Sequence, residues 1–194
     1  MQILSGLFEQ LETHGWGTCE EALPADLLEE LSRDCQKSWQ SGAFHDAHIG
    51  RGSEKSRVTE IRGDSICWLE DHRFMTWAAE LRKALNERYF LGLRREEFHF
   101  ARYPAGKGYQ KHMDQHRDQT DRRVSLVLYL NPDWSEKDGG QLRLFSADDA
   151  NLEVATITPQ WGRLVLFRSD MIPHEVLPCF PIRWSLTGWF RTDF

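Results

Sequence analysis

The chain has 194 residues, 40% hydrophobic and 28% charged, with a formal net charge of -6. That size and balance fit a single soluble domain with a substantial core. The negative charge offers no general attraction for phosphate backbones or anionic lipid, which argues against nucleic acid and membrane as partners.

From Ile3 to His14, apolar residues recur at helical spacing up to Gly15 and Gly17, and Leu23-Pro24-Ala25-Asp26 opens a second helix that ends near Gly42. Residues Phe44 to Glu60 are rich in His, Gly, Ser and charge and read as a loop, either a cover over a binding surface or a disordered segment. Ile61 to Leu69 is a turn leading into a strand, and a third helix runs from about Arg73 to Tyr89. After Phe98 the pattern changes to short strands separated by turn residues: Phe98 to Tyr103, Tyr109 to Asp114, Arg123 to Asn131, Gly140 to Phe145, Glu153 to Ile157, Arg163 to Phe167, His174 to Leu177 and Ile182 to Arg191. The expected fold is α+β and mainly β: a double-stranded β-helix, or cupin-like jelly roll, behind supporting N-terminal helices. One domain covers 1–194, with helical support and a substrate loop over 1–95 and a jelly-roll catalytic core over 96–194.

Cys19, Cys35, Cys67 and Cys179 are scattered without C-x-x-C spacing, and the Met1 end lacks a basic segment followed by an apolar core. The apolar run Val124 to Leu130 is far too short to cross a bilayer. The expectation is a cytoplasmic monomer with free thiols. The eight tryptophans read as core packing before ligand stacking.

His112 and Asp114 are two positions apart, so in an extended strand they share a face about 6.6 Å apart and can reach one metal ion. His116 continues that parity, but three ligands in one straight row converge poorly. His174, from a distant strand, approaches from the side and is the better third ligand. Two imidazoles and one carboxylate on one side of an ion leave positions open and suit non-haem Fe(II) and its oxygen chemistry. Taken alone, H-x-D is also what polar residues at a strand end look like.

Pro178-Cys179-Phe180-Pro181 reads as a tight hairpin connection pairing Leu177 with Ile182, which places Arg183, Ser185, Thr187 and Trp189 on the inward face with His174. An inward guanidinium has to be paired, either with an internal Asp or Glu or with a bound carboxylate. Val127 and Tyr129 share the inward face of the neighbouring strand, and the Tyr129 hydroxyl can donate to the same carboxylate. An open metal at one end and an Arg-Tyr clamp at the other describe a slot for a dicarboxylate such as 2-oxoglutarate.

With these residues assembled, the sequence resembles the 2-oxoglutarate and Fe(II)-dependent dioxygenases, specifically the hypoxia-inducible-factor prolyl hydroxylases and their bacterial relatives. The matching pieces, in order, are Ile61-Arg62-Gly63-Asp64 with Trp68, Tyr103-Pro104, Gly108-Tyr109, His112-x-Asp114, Tyr129-Leu130-Asn131, Asp133-Trp134, Gly139-Gly140-x-Leu142, Pro173-His174-Glu175-Val176, Arg183 and Trp189. The resemblance implies Fe(II) on His112, Asp114 and His174, with the 5-carboxylate of 2-oxoglutarate on Arg183 and Tyr129 and Tyr103 near its metal-binding end. It implies a pocket lined by Val127, Leu142, Val176, Thr187 and Trp189, and a substrate entrance at Arg62, Asp64, Trp68, Tyr109 and Arg122, where Asp64 pairs with Arg122. The connection from Tyr103 to Tyr109 is shorter than in the animal enzymes, Phe44 to Glu60 shows little resemblance, and the chain stops at Phe194 without their C-terminal helical extension.

The implied activity is O2- and 2-oxoglutarate-dependent hydroxylation of a prolyl residue in a protein, giving succinate and CO2. Ascorbate would be the reductant and elongation factor Tu a candidate partner. Two other readings stand beside it. One is the same chemistry on a free amino acid, another small molecule or a nucleobase, although the nucleic-acid demethylases carry a second arginine where this chain has Trp189. The other is a jelly-roll binding or sensing module without turnover.

Overall fold

A computed structural model describes residues 4–47, 61–115 and 120–194. Three helices, α1 Ser5–His14, α2 Ala25–Gln40 and α3 Arg73–Tyr89, pack on one face of a seven-stranded antiparallel sheet. In chain order the strands are β1 Trp16–Cys19, β2 His45–Asp46, β3 Ser65–Trp68, β4 Arg95–Tyr103, β5 Tyr109–His112, β6 Arg122–Tyr129, β7 Leu142–Phe145, β8 Glu153–Ile157, β9 Leu164–Arg168, β10 His174–Val176 and β11 Arg183–Arg191. The large sheet runs β1-β9-β6-β11-β4-β3-β2, and a four-stranded sheet of order β5-β10-β7-β8 faces it, giving the two layers of the expected jelly roll.

The apolar run in β6 follows from this layering. Val124, Leu126 and Leu128 point to the helices and join Phe98, Phe100, Leu186 and Phe190 in one core. Val127 and Tyr129 point the other way, into a second core between the sheets with Tyr103, Leu142, Leu144 and Val176. A sheet covered on both faces loses the alternation of polar and apolar residues, so from Val124 to Tyr129 β6 reads as hydrophobic except at Ser125.

Several expectations change. Besides three helices and the expected strand, seen as β3, the first 95 residues supply two strands that were not expected, β1 and β2, to the large sheet. β1, read from Gly15 and Gly17 as a helix end, pairs with β9 through Trp16 and Phe167. A Cβ on Gly17 would come within 2.7 Å of Gln10 Cβ, so glycine is what lets this strand lie beside α1. Of the loop expected over Phe44 to Glu60, residues 45 and 46 form β2; residues 48–60 and His116 lie outside the described residues.

The hairpin between the His174 strand and the last strand does not form. β10 pairs with β5 and β7, whereas β11 pairs with β4 and β6 in the other sheet. The Pro178 to Pro181 segment is a crossover, held by Cys179 N–H to the Lys107 carbonyl (3.1 Å), Gly140 N–H to the Pro178 carbonyl (3.0 Å) and Phe180 N–H to the Asp138 carbonyl (2.8 Å). The inward set Arg183, Ser185, Thr187 and Trp189 survives because strand parity within β11 fixes it, whichever strand lies alongside.

Candidate metal centre and anion anchor

β5 and β10 lie side by side with His112 and His174 as direct cross-strand partners, so their imidazoles come together with ring centroids 4.2 Å apart. Asp114 does not continue the strand as expected. β5 ends at His112, and Asp114 follows in a bend that brings its Oδ1 to 3.7 Å from Nε2 of both histidines. Ligand atoms about 2 Å from one ion lie some 3 to 4 Å from one another, so these spacings fit a shared cation.

The other ring nitrogens decide what the imidazoles can do. Nδ1 of His112 is 2.7 Å from the Gln110 carbonyl and Nδ1 of His174 is 3.1 Å from the Ile172 carbonyl. A carbonyl only accepts, so each Nδ1 carries the proton and each Nε2 turns a lone pair toward Asp114. Burial, with His112 beside it, lowers the pKa of His174 to about 4, which keeps that ring neutral and ready to ligate. Burial works against ionising Asp114, yet its carboxyl lies well below the usual carboxylate range, and the Ser125 hydroxyl is the donor that favours its charged form.

Ser125, which nothing in the sequence singled out, donates to Asp114 Oδ2 at 2.6 Å and lies 2.8 Å from the Ser169 hydroxyl. Its signal was a lone serine with the parity of Val127 and Tyr129 in an otherwise apolar strand. Tyr109 stacks on His112 with centroids 3.6 Å apart and an interplanar angle of 17°, and the Arg62 guanidinium lies over the Tyr109 ring at 5.0 Å.

Arg183 is 1% exposed. Its Nε donates to the Gly140 carbonyl at 2.9 Å, and its guanidinium carbon lies 5.1 Å from the Tyr103 ring and 5.0 Å from the Tyr129 ring. Gly140 adopts φ +68°, and a Cβ there would lie 2.9 Å from Arg183 Cδ, so the Gly139-Gly140 pair is shaped around this side chain. Among the described residues no carboxylate pairs with Arg183, which removes the internal ion pair as its explanation. Among the described residues the buried Tyr129 hydroxyl has no hydrogen-bond partner, and burial raises its pKa against the pull of Arg183, leaving a protonated donor. A buried cation with no carboxylate and a buried hydroxyl with no hydrogen-bond partner, both among the described residues, fit the carboxylate of a bound molecule.

Val127, Leu142 and Val176 belong with Tyr103 and Tyr129 to the core between the sheets, and Thr187 and Trp189 lie on the same side of β11 as Arg183. At the rim the structure corrects the expected Asp64 to Arg122 pair. Asp64 is held through both oxygens by Arg62, at 2.8 and 3.0 Å, because a side chain two residues away reaches it first. Arg122 instead donates to the Asp114 carbonyl (3.3 Å), lies 3.5 Å from Glu97 and stacks over Trp189. Trp68 remains half exposed.

A second group of ligand-type side chains, Glu30, Asp34 and His72, gathers between α2 and the start of α3. There Nδ1 of His72 accepts the Phe74 N–H at 2.9 Å and caps the helix.

Comparison with known proteins agrees with this geometry. The profile of the 2OG-Fe(II) oxygenase superfamily matches residues 98–191. The fold superposes on a Pseudomonas putida prolyl-4-hydroxylase with a TM-score of 0.87 at 42% identity, covering 98% of this chain and 100% of that one. It also superposes on a Trichoplax adhaerens prolyl hydroxylase, solved with a hypoxia inducible factor oxygen degradation domain peptide, with a TM-score of 0.82 at 31% identity over 98% and 90% of the two chains. Egl nine homolog 1 of Homo sapiens is 30% identical over 93% of this chain and 44% of its own length. The chain spans about half the length of the first curated relatives it matches. With the full length of the bacterial enzyme matched at this identity, and with a metal-ready triad and an anion anchor in place, the chain belongs to the 2OG-Fe(II) oxygenase superfamily, among its prolyl hydroxylases.

Proposed function

We propose that the protein hydroxylates a prolyl residue of a protein substrate, using O2 and 2-oxoglutarate and releasing succinate and CO2. The observation that carries this reading is Arg183, buried with no carboxylate of its own among the described residues beside the unpaired Tyr129 hydroxyl. His112, Asp114 and His174 would hold Fe(II), and Arg183 with Tyr129 would hold the far carboxylate of 2-oxoglutarate. Iron, when bound, supplies the activation of dioxygen that couples decarboxylation of 2-oxoglutarate to oxygen insertion at a C–H bond.

The chain's own contribution is placement and exclusion. Ser125 fixes the unshared oxygen of Asp114, and the two carbonyls behind His112 and His174 fix their tautomers. Val127, Leu142, Val176 and Trp189 form an apolar lining that keeps water and oxidisable groups from the reacting centre, with Tyr103 and Thr187 as its polar members. Arg62, Asp64, Trp68, Tyr109 and Arg122 form the entrance to which a protein loop would dock. Ascorbate would restore ferrous iron after uncoupled turnover. The proposed setting is the cytoplasm, and elongation factor Tu is the proposed partner by family resemblance.

Purified elongation factor Tu incubated with the protein, Fe(II), 2-oxoglutarate and air should gain one oxygen on a prolyl peptide in a mass spectrum, and no gain without 2-oxoglutarate. Oxygen appearing only in free metabolites would overturn the protein-substrate reading. No 2-oxoglutarate-dependent oxygen transfer to any proline would overturn prolyl hydroxylation itself.

A further inference from the structure

Apart from the anchor, two more buried polar atoms on the inner face of the large sheet lack a hydrogen-bond partner among the described residues: Nδ1 of His99 and Nε1 of Trp189. Their rings lie 5.5 Å apart, and the residues are 1% and 6% exposed. His99 pairs with Thr187 across β4 and β11, and Trp189 pairs with Ser125, the residue that holds Asp114. The metal-facing imidazoles come from the small sheet, so His99 belongs to the wall that faces them. Trp68 meets the His99 ring edge-on at 5.0 Å and extends that wall to the solvent, 44% exposed.

A buried polar group without a partner costs about 1 to 3 kcal/mol. Two of them side by side next to a reaction centre are what a site looks like before its ligand arrives. Burial and the nearby Arg62 cation lower the His99 pKa to about 3, so the ring is neutral and offers one N–H, while the Trp189 indole offers only a donor. A prolyl residue has the complementary character: a saturated ring that packs on aromatic faces, no amide N–H, and flanking carbonyls that only accept.

Resting on the prolyl hydroxylation reading, we propose that His99 is a specificity-determining residue that donates from Nδ1 to a carbonyl oxygen of the target prolyl residue, beside the rings of Trp68 and Trp189 that adjoin it. Its test uses the protein loaded with Zn(II) and 2-oxoglutarate, which does not turn over, titrated with N-acetyl-L-proline methylamide. Nuclear magnetic resonance of the histidine ring nitrogens should show a saturable shift of the His99 signal. Calorimetry should show affinity for the probe about tenfold lower in His99→Met, in line with one lost hydrogen bond, and largely restored in His99→Asn, with 2-oxoglutarate affinity unchanged in both.

An unmoved His99 resonance, no binding of the probe to the wild-type protein, or equal affinity in His99→Met overturns the proposal. Failure of the two readings can be told apart. A probe that binds and moves His99, with no protein proline ever oxidised, sinks the function and keeps the prolyl notch. Hydroxylation of a protein proline by His99→Met with unchanged product per succinate sinks the notch and keeps the function.

Discussion

His72 lies 3.5 Å from Asp34 and 3.9 Å from Glu30, nearly the spacing that separates His112 and His174 from Asp114, 3.7 Å in each case. One cluster has two histidines and one acid and the other one histidine and two acids, and they differ further in what the second ring nitrogen does. In His72, Nδ1 accepts a backbone N–H, so the neutral ring carries its proton on Nε2 and points an N–H at the acids. In His112 and His174, Nδ1 faces a carbonyl and Nε2 is left with a lone pair. The carboxylates differ as well. Glu30 is bound by Arg73 and Asp34 by Lys37, both at 3.1 Å, whereas Asp114 gives one oxygen to Ser125 and turns the other to the imidazoles. Proximity of metal-type residues is therefore a poor guide to a metal site, and the hydrogen bonds behind each ligand are a better one.

This contrast can be broken by four substitutions, in falling order of effect. His174→Ala should abolish both turnover and the visible absorption that Fe(II) and 2-oxoglutarate give together without oxygen; a variant that keeps the band would remove His174 from the ligand set. Arg183→Ala should raise the 2-oxoglutarate concentration for half-saturation roughly a hundredfold, as loss of a charge-assisted pair predicts, while the metal content measured by atomic absorption stays the same. Loss of iron together with 2-oxoglutarate would show that anchor and metal centre are not separable.

Ser125→Ala should weaken Fe(II) affinity about tenfold by freeing Asp114 to rotate, read by chelator competition. An unchanged affinity would mean that burial alone holds the carboxylate. His72→Ala should have the smallest effect: about 1 kcal/mol less stability from the lost helix cap in thermal melts, with metal stoichiometry and activity intact. A drop in bound metal in that variant would erase the distinction between the clusters.

Much of this arrangement was legible in the sequence because it rests on strand parity. Arg183 could be grouped with Tyr129 from the alternation along two strands, whereas Asp114 joins His112 and His174 from a bend beyond β5 and not by the shared strand face its spacing suggested. What escaped depends on contacts between distant segments. The hairpin expected at Pro178 to Pro181 was the locally simplest connection, and Lys107, Asp138 and Gly140 instead pin that segment as a crossover. Asp64 was matched with Arg122, although Arg62 two residues away satisfies it. β1 is four residues long with a glycine inside, too short for any period to announce it. His99 carries no local signal, since a histidine inside an apolar strand looks the same whether or not its ring is bonded.

The direct pairing of His112 with His174 across β5 and β10 has one more consequence. Backbone hydrogen bonds between neighbouring strands set the distance between the two imidazoles, so the cradle persists when the ion leaves. Metal binding should therefore leave the strand pairing as it is, so circular dichroism of the protein should be the same before and after Fe(II) is added.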